Sequence, residues 1–424
     1  MIKTISLVDA NNFYASCEQM VDPSLTKHPL VILSNNDGCI ISRSSEARAL
    51  KIPMGIPYFK ISHKLKQLRV KVRSSNYELY GDMSLRLMTL LKDYCEVLET
   101  YSIDEAFLQL TRPREGTLYS WARQLRAIVY RNLGITIAIG LGRNKVQAKL
   151  ANYLAKTIER NAGIFDLEIT KDKDKWLEFV NIENVWGIGA KLAHWCKTHG
   201  IHNAKQLRDM PRNKLRLKYG IVGIRLQDEL RGENCIALNV TSPPKKETCV
   251  SKSFSRAITN ERELGEAIAS HVIRACEKLR KQKQQAGKIS IFARTSCYTS
   301  TFYSQSSTKK LEVPSNNTNV LLKEALSLIK EIYRPHVDLR KAGVIMQNLQ
   351  SVDYLQHSLF KSIDIETQSK QEHLMQVIDG LNKQYGSNVI TWCASGLSKK
   401  WDMRREKLSI ASTTSCEKIP IVKV

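Results

Sequence analysis

The chain has 424 residues, which predicts several domains, and its hydrophobic content of 42% excludes a disordered chain. Lys and Arg outnumber Asp and Glu by 65 to 41, and the formal net charge of +24 favours a polyanionic partner, most simply nucleic acid, with a membrane surface as the alternative. No apolar run reaches the roughly 18 residues of a membrane span, and we recognise no signal peptide, so we expect a cytoplasmic protein without a membrane partner.

The first predicted element is an apolar strand, residues 3–8, with Asp9 at its end. A turn follows, and a helix begins near Phe13. Backbone amides at a helix start attract phosphate oxygens, which makes Asn12 and Phe13 candidates for phosphate binding. The aromatic pair Phe13 and Tyr14 can equally pack the helix onto a sheet, and both interpretations remain open at this point.

A small basic insertion follows the second buried strand, residues 29–33. Within it, residues 44–50 have the pattern of a short helix. Arg43 and Arg48 would therefore lie near one surface.

Residues 100–110 carry the strongest chemical signal, a strand, an interruption and a second strand, with Asp104 adjacent to Glu105. Neighbouring strand residues point to opposite faces and an unpaired buried carboxylate is costly, so we expect both acids at a hairpin bend, projecting into one open site. Together with Asp9 they would form a set of oxygen ligands for hard divalent cations such as Mg²⁺. Hairpin acids that face solvent are the alternative.

Residues 1–165 predict a split β-α-β sheet with helices on one face, interrupted by the insertion. The closing helix places Lys145, Lys149 and Lys156 on one polar stripe together with Asn152. A solvated lysine face is the alternative interpretation of this stripe.

Residues 166–235 are helical and basic in pattern, with Gly187 and Gly189 in an apolar turn before a helix that carries Lys191. Two glycines let the backbone approach a phosphate closely, which is typical of a helix-hairpin-helix that binds nucleic acid without reading sequence. A plain packing hairpin is the alternative. A zinc site around Cys196 is disfavoured because a second pair of ligands is missing.

Beyond a proline-rich linker, residues 248–350 predict an independent α+β unit whose strands interleave basic and apolar residues, as suits a sheet along a phosphate backbone. Residues 351–424 have less of the pattern of a closed domain. They contain Gln356, Leu359 and Phe360, which suit either docking to a partner or local packing.

Four blocks in this order resemble the Y-family of lesion-bypass DNA polymerases: residues 9–18, 46–48, 101–107 and 144–151, which include Asp-Ala-Asn-Asn-Phe-Tyr and Tyr-Ser-Ile-Asp-Glu-Ala-Phe. Three further blocks narrow the resemblance to one branch of that family: residues 34–39, 75–80 and 401–405. The resemblance covers essentially the whole chain. It implies error-prone, template-directed DNA synthesis past damaged bases in bacterial SOS mutagenesis and DNA repair.

The resemblance also implies an α+β multidomain fold of the right-hand type, with a split β-α-β palm, small fingers, a helix-hairpin-helix thumb and an α+β little finger. The implied limits are 1–35 and 75–165 for the palm, 36–74 for the fingers, 166–235 for the thumb, 236–247 for a linker, 248–350 for the little finger and 351–424 for a C-terminal tail that binds partners.

Roles for single residues follow from the same resemblance. Asp9 and Asp104 would bridge two Mg²⁺ ions, and Glu105 would complete the site near the primer 3′-OH. The main-chain carbonyl of Ala10 would be a further ligand.

Tyr14 takes the place of the steric gate, whose ring leaves no room for a ribose 2′-OH. The residues implied to hold the triphosphate are Asn12, Phe13, Arg48 and Lys156. Many relatives have Tyr where this chain has Ser45, so an aromatic hydroxyl contact to the phosphates is missing here.

The implied macromolecular partners are primer-template DNA, a UmuD-type processed dimer, RecA and the sliding clamp, at the bacterial nucleoid. Gly187, Gly189 and Lys191 would contact DNA. The residues implied to dock into the clamp are Gln356, Leu359 and Phe360.

Two other functions remain open on the residues alone. A nucleotide cyclase could use the same paired acids, but it needs neither the glycine hairpin nor a long basic surface. A non-catalytic DNA-bound scaffold would need none of the three acids.

Overall fold

The computed structural model of the chain describes residues 3–111, 117–158, 162–240, 243–299, 301–353, 365–386 and 388–409. The chain divides into two compact units. The first takes residues 1–242 and the chain from 406 onwards, and the second takes residues 243–405. No helix in the described ranges is long and apolar enough to cross a membrane.

The first unit holds eight strands in its described residues. They are β1 (Lys3–Ala10), β2 (Leu30–Leu33), β3 (Ile40–Arg43), β4 (Lys71–Ser74), β5 (Val97–Thr100), β6 (Glu105–Thr111), β7 (Ile137–Gly142) and β8 (Ile164–Asp166). Its helices are α1 (Phe13–Val21), α2 (Ser45–Ala49), α3 (Tyr58–Gln67), α4 (Tyr77–Lys92), α5 (Leu118–Leu133), α6 (Lys145–Thr157), α7 (Lys173–Phe179), α8 (Ala190–Thr198), α9 (Ala204–Asp209) and α10 (Arg212–Arg231).

A five-stranded sheet in the order β5-β6-β1-β7-β8 forms the centre of the first unit. β1 is antiparallel to β6 and β7, and only β7 and β8 are parallel. Seven of the eight β1 residues are buried, as an apolar central strand with both faces covered requires. The core on one face contains residues of α1, α4 and α5, with Val8 and Leu108 from the sheet.

Helix α6 covers the other face of this sheet, where Ile5, Leu7 and Phe107 pack against Ala148. The expectation of helices on one face is therefore wrong for α6. The physical reason is that Gly140 and Gly142 in β7 leave room for α6 on this face of the sheet. A Cβ added to Gly140 would lie 2.1 Å from the backbone nitrogen of Asn152, so the helix backbone approaches the strand more closely than any side chain allows.

Strand β2 pairs with β3 and β4 in a separate three-stranded sheet, β3-β2-β4. This strand falls within the expected palm limit at residue 35, and its hydrogen bonds are made within the smaller sheet. Its alternate side chains divide between two cores: Leu30 and Ile32 join the core of the five-stranded sheet, whereas Val31 and Leu33 join that of the smaller sheet. The domain limits themselves stay predictions.

Helices α7 to α10 share one core with α6. Cys196 lies fully inside this core, which explains it without a metal. No group of three His, Cys, Asp or Glu side chains in the described part of the chain is arranged to hold a metal ion.

The second unit is built on one antiparallel sheet in the order β11-β10-β12-β9. Its strands are β9 (Thr248–Ile258), β10 (Gln284–Arg294), β11 (Ser304–Ser315) and β12 (Leu339–Ser351). Its helices are α11 (Glu261–Lys281), α12 (Thr318–Ser327), α13 (Ile329–Ile332) and α14 (Ile365–Tyr385). The α+β character expected for this part of the chain is confirmed.

Part of the expected tail packs into the second unit. The Asp379 carboxylate in α14 accepts two hydrogen bonds from Arg280 in α11, at 2.6 and 2.8 Å. Trp401 is 2% exposed and its ring meets Phe254 edge-on. The sequence pattern missed this closure because the residues that anchor it are far apart in the chain.

Candidate active site

The expected acids come together where β1 and β6 run side by side. Asp9 lies directly opposite Glu105 in the antiparallel register. The Ala10 amide donates to the Asp104 carbonyl at 2.9 Å, which ties the hairpin bend to the end of β1. Asp9 and Glu105 are strand residues, and only Asp104 belongs to the bend. The two acids of the hairpin, Asp104 and Glu105, therefore have different backbone conformations.

Asp9 is 8% exposed, and its Oδ1 lies 2.5 Å from the ammonium nitrogen of Lys156. Burial raises the pKa of Asp9 to about 7, and the adjacent Glu105 carboxylate acts in the same direction. Lys156 opposes this rise without cancelling it. Burial therefore disfavours the charged form of Asp9 despite Lys156, and a further cation would stabilise that form.

Glu105 has the opposite balance of forces. Burial alone would raise the pKa of this carboxyl, but the hydrogen bond from Lys149, at 2.8 Å, holds it below its ordinary value. The Lys149 ammonium also lies 4.4 Å from the centre of the Tyr101 ring. Lys149 is thus a member of the site to which the sequence analysis gave no role there.

The lysines of the α6 stripe pair with acidic side chains of the sheet, so the solvated-face interpretation is wrong for the buried Lys145 and the half-buried Lys149, whereas Lys156 stays exposed. The three ion pairs are Lys145 with Glu99 at 2.6 Å, Lys149 with Glu105 at 2.8 Å and Lys156 with Asp9 at 2.5 Å. Asn152 on the same stripe is buried and donates to the carbonyls of Leu7 and Ala138. The helical spacing of the lysines is the signal that could have predicted this pairing.

Ser102 organises the bend that carries Asp104. Its hydroxyl donates to Asp104 Oδ1 at 2.6 Å and accepts from the amides of Asp104 and Glu105, at 3.3 and 3.1 Å. A Ser hydroxyl that closes such a turn fixes the backbone of both acids. The Asp104 carboxylate is hydrogen-bonded to this hydroxyl and not to Asp9.

Two of the predicted phosphate-binding residues, Asn12 and Arg48, are bonded to each other, and a third, Lys156, pairs with Asp9. An Arg48 guanidinium nitrogen donates to Asn12 Oδ1 at 2.8 Å, across from α2 to the start of α1. Asn12 has a φ of 49°, a left-handed conformation that Asn tolerates, and Phe13 begins α1 with a buried ring. The Ser45 hydroxyl donates to the carboxylate of the adjacent Glu46 at 3.1 Å.

Tyr14 stands in a cluster of three tyrosines. Its ring stacks on Tyr80 with centroids 4.4 Å apart and planes within 13°, and Tyr77 meets it edge-on at 6.0 Å. Burial raises the pKa of the Tyr14 hydroxyl. Tyr77 and Tyr80 are one turn apart in α4 and so share a face, a spacing from which this cluster could have been predicted.

The glycine turn before α8 has the backbone geometry expected of a helix-hairpin-helix. Gly187 has a φ of 88°, which side chains rarely adopt, and Gly189 precedes the helix without a side-chain cap. Lys191 is exposed. The expected clamp-docking residues Gln356, Leu359 and Phe360 lie outside the described residues.

Comparison with known proteins now assigns the family. A family model described as the impB/mucB/samB family matches residues 8–153, and one described as its C-terminal domain matches residues 245–359. The protein UmuC of Salmonella typhimurium is 37% identical over 413 residues, which cover 96% of this chain and 97% of UmuC. This chain belongs to the impB/mucB/samB family. The narrower resemblance expected from residues 34–39, 75–80 and 401–405 was to UmuC-type chains, and it is confirmed.

Two further comparisons relate this chain to proteins that are named as DNA polymerases. DNA polymerase IV of Bacillus velezensis is 26% identical, over 90% of this chain and 91% of that protein. The solved structure of a Y-family DNA polymerase chimera superposes with a TM-score of 0.64 at 20% identity, over 82% of this chain and 99% of the chimera. The predicted fold, that of a Y-family DNA polymerase, is confirmed. A third family model, described as a domain of unknown function, matches residues 372–422.

Proposed function

We propose that this chain is an error-prone translesion DNA polymerase that adds dNMP to a primer 3′-OH opposite damaged template bases, in SOS mutagenesis and DNA repair. The observation that carries the proposal is the pairing of Asp9 with Glu105 across β1 and β6, next to the Asp104 bend. The family and the polymerase fold support it. A relative named DNA polymerase IV supports the same reaction.

The donor atoms suit hard divalent cations, although no three carboxylates of the described residues converge on one metal position, so these side chains would have to turn to bind one. Asp9, Asp104, Glu105 and the carbonyl of Ala10 are all oxygen donors, and burial disfavours the negative charge on Asp9 unless a cation is near. Two Mg²⁺ ions bound by them would supply a lowered pKa for the primer hydroxyl and charge neutralisation for the leaving pyrophosphate.

The lysines on α6 act as exchangeable partners of the acids. Their ammonium groups contact one oxygen each of Glu105 and Asp9, so Lys149 and Lys156 would have to move before those oxygens could hold a cation. Lys156 then becomes available to the triphosphate oxygens. Arg48, oriented by Asn12, and the Phe13 amide at the start of α1 complete the triphosphate site.

The sugar and the DNA are held by other parts of the first unit. The Tyr14 ring lies under the deoxyribose and excludes a 2′-OH. The turn with Gly187, Gly189 and Lys191 holds the DNA backbone through amides and positive charge, which needs no sequence readout. The surplus positive charge of the whole chain supports a long nucleic-acid partner.

The proposed protein partners follow from the likeness to UmuC. A UmuD-type processed dimer and RecA would meet the C-terminal part of the chain. Residues Gln356, Leu359 and Phe360 would dock into the sliding clamp. The protein would act in the bacterial cytoplasm at the nucleoid.

The direct test of the proposed site is Asp104→Ala. We expect nucleotide incorporation on an undamaged primer-template to fall by at least about a thousandfold, because the metal ligands are incomplete. Binding of the primer-template, measured by fluorescence anisotropy, stays at the wild-type level. Asp93→Ala, at an exposed acid after α4, is the matched control and keeps incorporation. Synthesis retained by Asp104→Ala would refute the proposal.

A further inference from the structure

A short C-terminal segment, residues 406–409, lies against the first unit, and we call it the C-terminal clasp. The Lys407 amide donates to Ser74 Oγ and the Ser74 amide donates to the Lys407 carbonyl, both at 3.0 Å. The Lys407 ammonium contacts the Tyr58 hydroxyl at 3.0 Å and lies over its ring. Two hydrogen bonds to Ser74 at the end of β4 and a side-chain contact to α3 thus hold the clasp in place.

The last described residue of the clasp reaches a buried carboxylate. The Ser409 hydroxyl donates to Glu18 Oε1 at 3.1 Å and accepts from Asn76 Nδ2 at 3.0 Å. Glu18 in α1 is 0% exposed, and the same oxygen accepts from the Tyr80 hydroxyl at 2.8 Å. A buried carboxylate is costly without donors, so Ser409 and Tyr80 together stabilise Glu18 in place.

Tyr80 connects this carboxylate to the gate residue Tyr14. The Tyr80 side chain is fully buried, with its hydroxyl held by Glu18 and its ring stacked on Tyr14 at 4.4 Å. Glu18 and Tyr14 are four residues apart in α1 and therefore lie one turn apart on one face. The contacts run without a break from Ser409 through Glu18 and Tyr80 to the back of the Tyr14 ring.

We infer that Ser409, Glu18 and Tyr80 are positioning residues for the Tyr14 ring, so that the C-terminal clasp takes part in selecting the sugar of the incoming nucleoside triphosphate. The inference rests on the proposed role of Tyr14 as the steric gate. A ring excludes a 2′-OH only if it cannot retreat by the fraction of an ångström that an oxygen atom needs. The buried Tyr80 ring blocks that retreat, and its own position depends on Glu18 and Ser409.

Simple packing of the C-terminus predicts a different outcome. If the clasp only stabilised the fold, loss of one of its hydroxyl groups would lower the stability of the protein and would affect deoxyribonucleotides and ribonucleotides equally. A positioning role changes the ratio between them. The ratio therefore separates the two explanations.

The test measures single incorporation of dCTP and of rCTP opposite template guanine, with the full-length chain under conditions in which the wild type extends the primer. Ser409→Ala and Tyr80→Phe each delete one oxygen atom. We expect the ratio of kcat/KM for dCTP to that for rCTP to fall by about threefold to tenfold in each variant. Ser409→Thr, which keeps the hydroxyl, restores the wild-type ratio.

Tyr14→Ala in the same assay separates this inference from the proposed function. If Tyr14→Ala lowers the ratio while Ser409→Ala and Tyr80→Phe leave it unchanged, the positioning role is refuted and the polymerase assignment stands. If Tyr14→Ala also leaves the ratio unchanged, Tyr14 is no gate and the inference fails with it. Equal losses for both nucleotides in parallel with a lower melting temperature would show that the clasp only stabilises the fold.

Discussion

Lys149 is the positive charge that contacts Glu105, and it competes there with any bound cation. Lys149→Met removes the charge and keeps a long apolar side chain over the Tyr101 ring. Because a nearby positive charge repels a metal ion, we expect the Mg²⁺ concentration for half-maximal incorporation to fall by about tenfold. The measurement is a Mg²⁺ titration of single-nucleotide incorporation.

The matched control for this titration is Lys92→Met, at an exposed lysine at the end of α4. It should leave the Mg²⁺ requirement as it is in the wild type. A higher Mg²⁺ requirement in Lys149→Met would contradict the exchange of ammonium groups for cations.

His271 in α11 is a buried group that titrates differently in the folded and unfolded chain. It is 2% exposed, and burial lowers the pKa of its imidazole to about 4, with the Lys252 ammonium acting in the same direction and Asp402 opposing. Its ring meets Trp401 edge-on. The folded state therefore keeps this side chain neutral over a pH range in which the unfolded chain protonates it.

The consequence is a pH-dependent stability of the second unit. Below the ordinary pKa of 6.5 the unfolded chain takes up a proton that the folded chain refuses until about pH 4. The free energy of unfolding therefore falls as the pH drops through this window, by up to about 3 kcal/mol. Urea unfolding at several pH values should show a flatter pH dependence for His271→Gln, whereas His373→Gln, at an exposed histidine, should match the wild type. Equal slopes in all three proteins would disprove the prediction.

At the level of elements, the contact between β7 and α6 sets the geometry of the site, because α6 carries both active-site lysines. Gly140 makes it possible. Gly140→Ala would force a Cβ to within 2.1 Å of backbone, so we expect it to lower the free energy of unfolding by at least about 2 kcal/mol.

Gly81→Ala is the control for this substitution, since a Cβ at that position in α4 meets nothing within 4 Å. It should stabilise the helix slightly. Thermal and urea unfolding of both variants test the pair. A Gly140→Ala protein as stable as the wild type would mean that α6 does not pack as closely as described.

The sequence predicted elements whose pattern is local. The apolar run of β1 and the acids after it, the bend at Asp104 and the glycine turn at Gly187 all follow from short-range rules, and the structure contains each of them. The side of the sheet that α6 covers depends on which strand face lacks side chains, and this is not readable from the periodicity of α6 itself.

Contacts between distant residues limited the prediction of the site. The role of Tyr80 behind Tyr14 and that of Ser409 behind Glu18 depend on pairs separated by 66 and 391 residues. The sheet membership of β2 was also missed, because both of its faces are buried and its apolar run has no preferred side.

At the scale of the whole molecule, the chain after β12 contributes to both compact units. Trp401 completes the core of the second unit, whereas residues 406–409 bind to the first. The described residues of the predicted tail, up to residue 409, therefore belong to the two compact units. We expect partners of the C-terminal part to meet residues 401–409 already packed into the fold.

The central claim, lesion bypass by the site of Asp9, Asp104 and Glu105, is tested most directly by primer extension across a single abasic site. The assay uses the purified full-length chain with Mg²⁺ and dNTPs, with a UmuD-type processed dimer and RecA added in separate lanes, and with Asp104→Ala as the control. We predict extension past the lesion by the wild type and none by Asp104→Ala. Absence of extension in every lane, with primer-template binding intact, would contradict the account and would favour a non-catalytic DNA-bound scaffold.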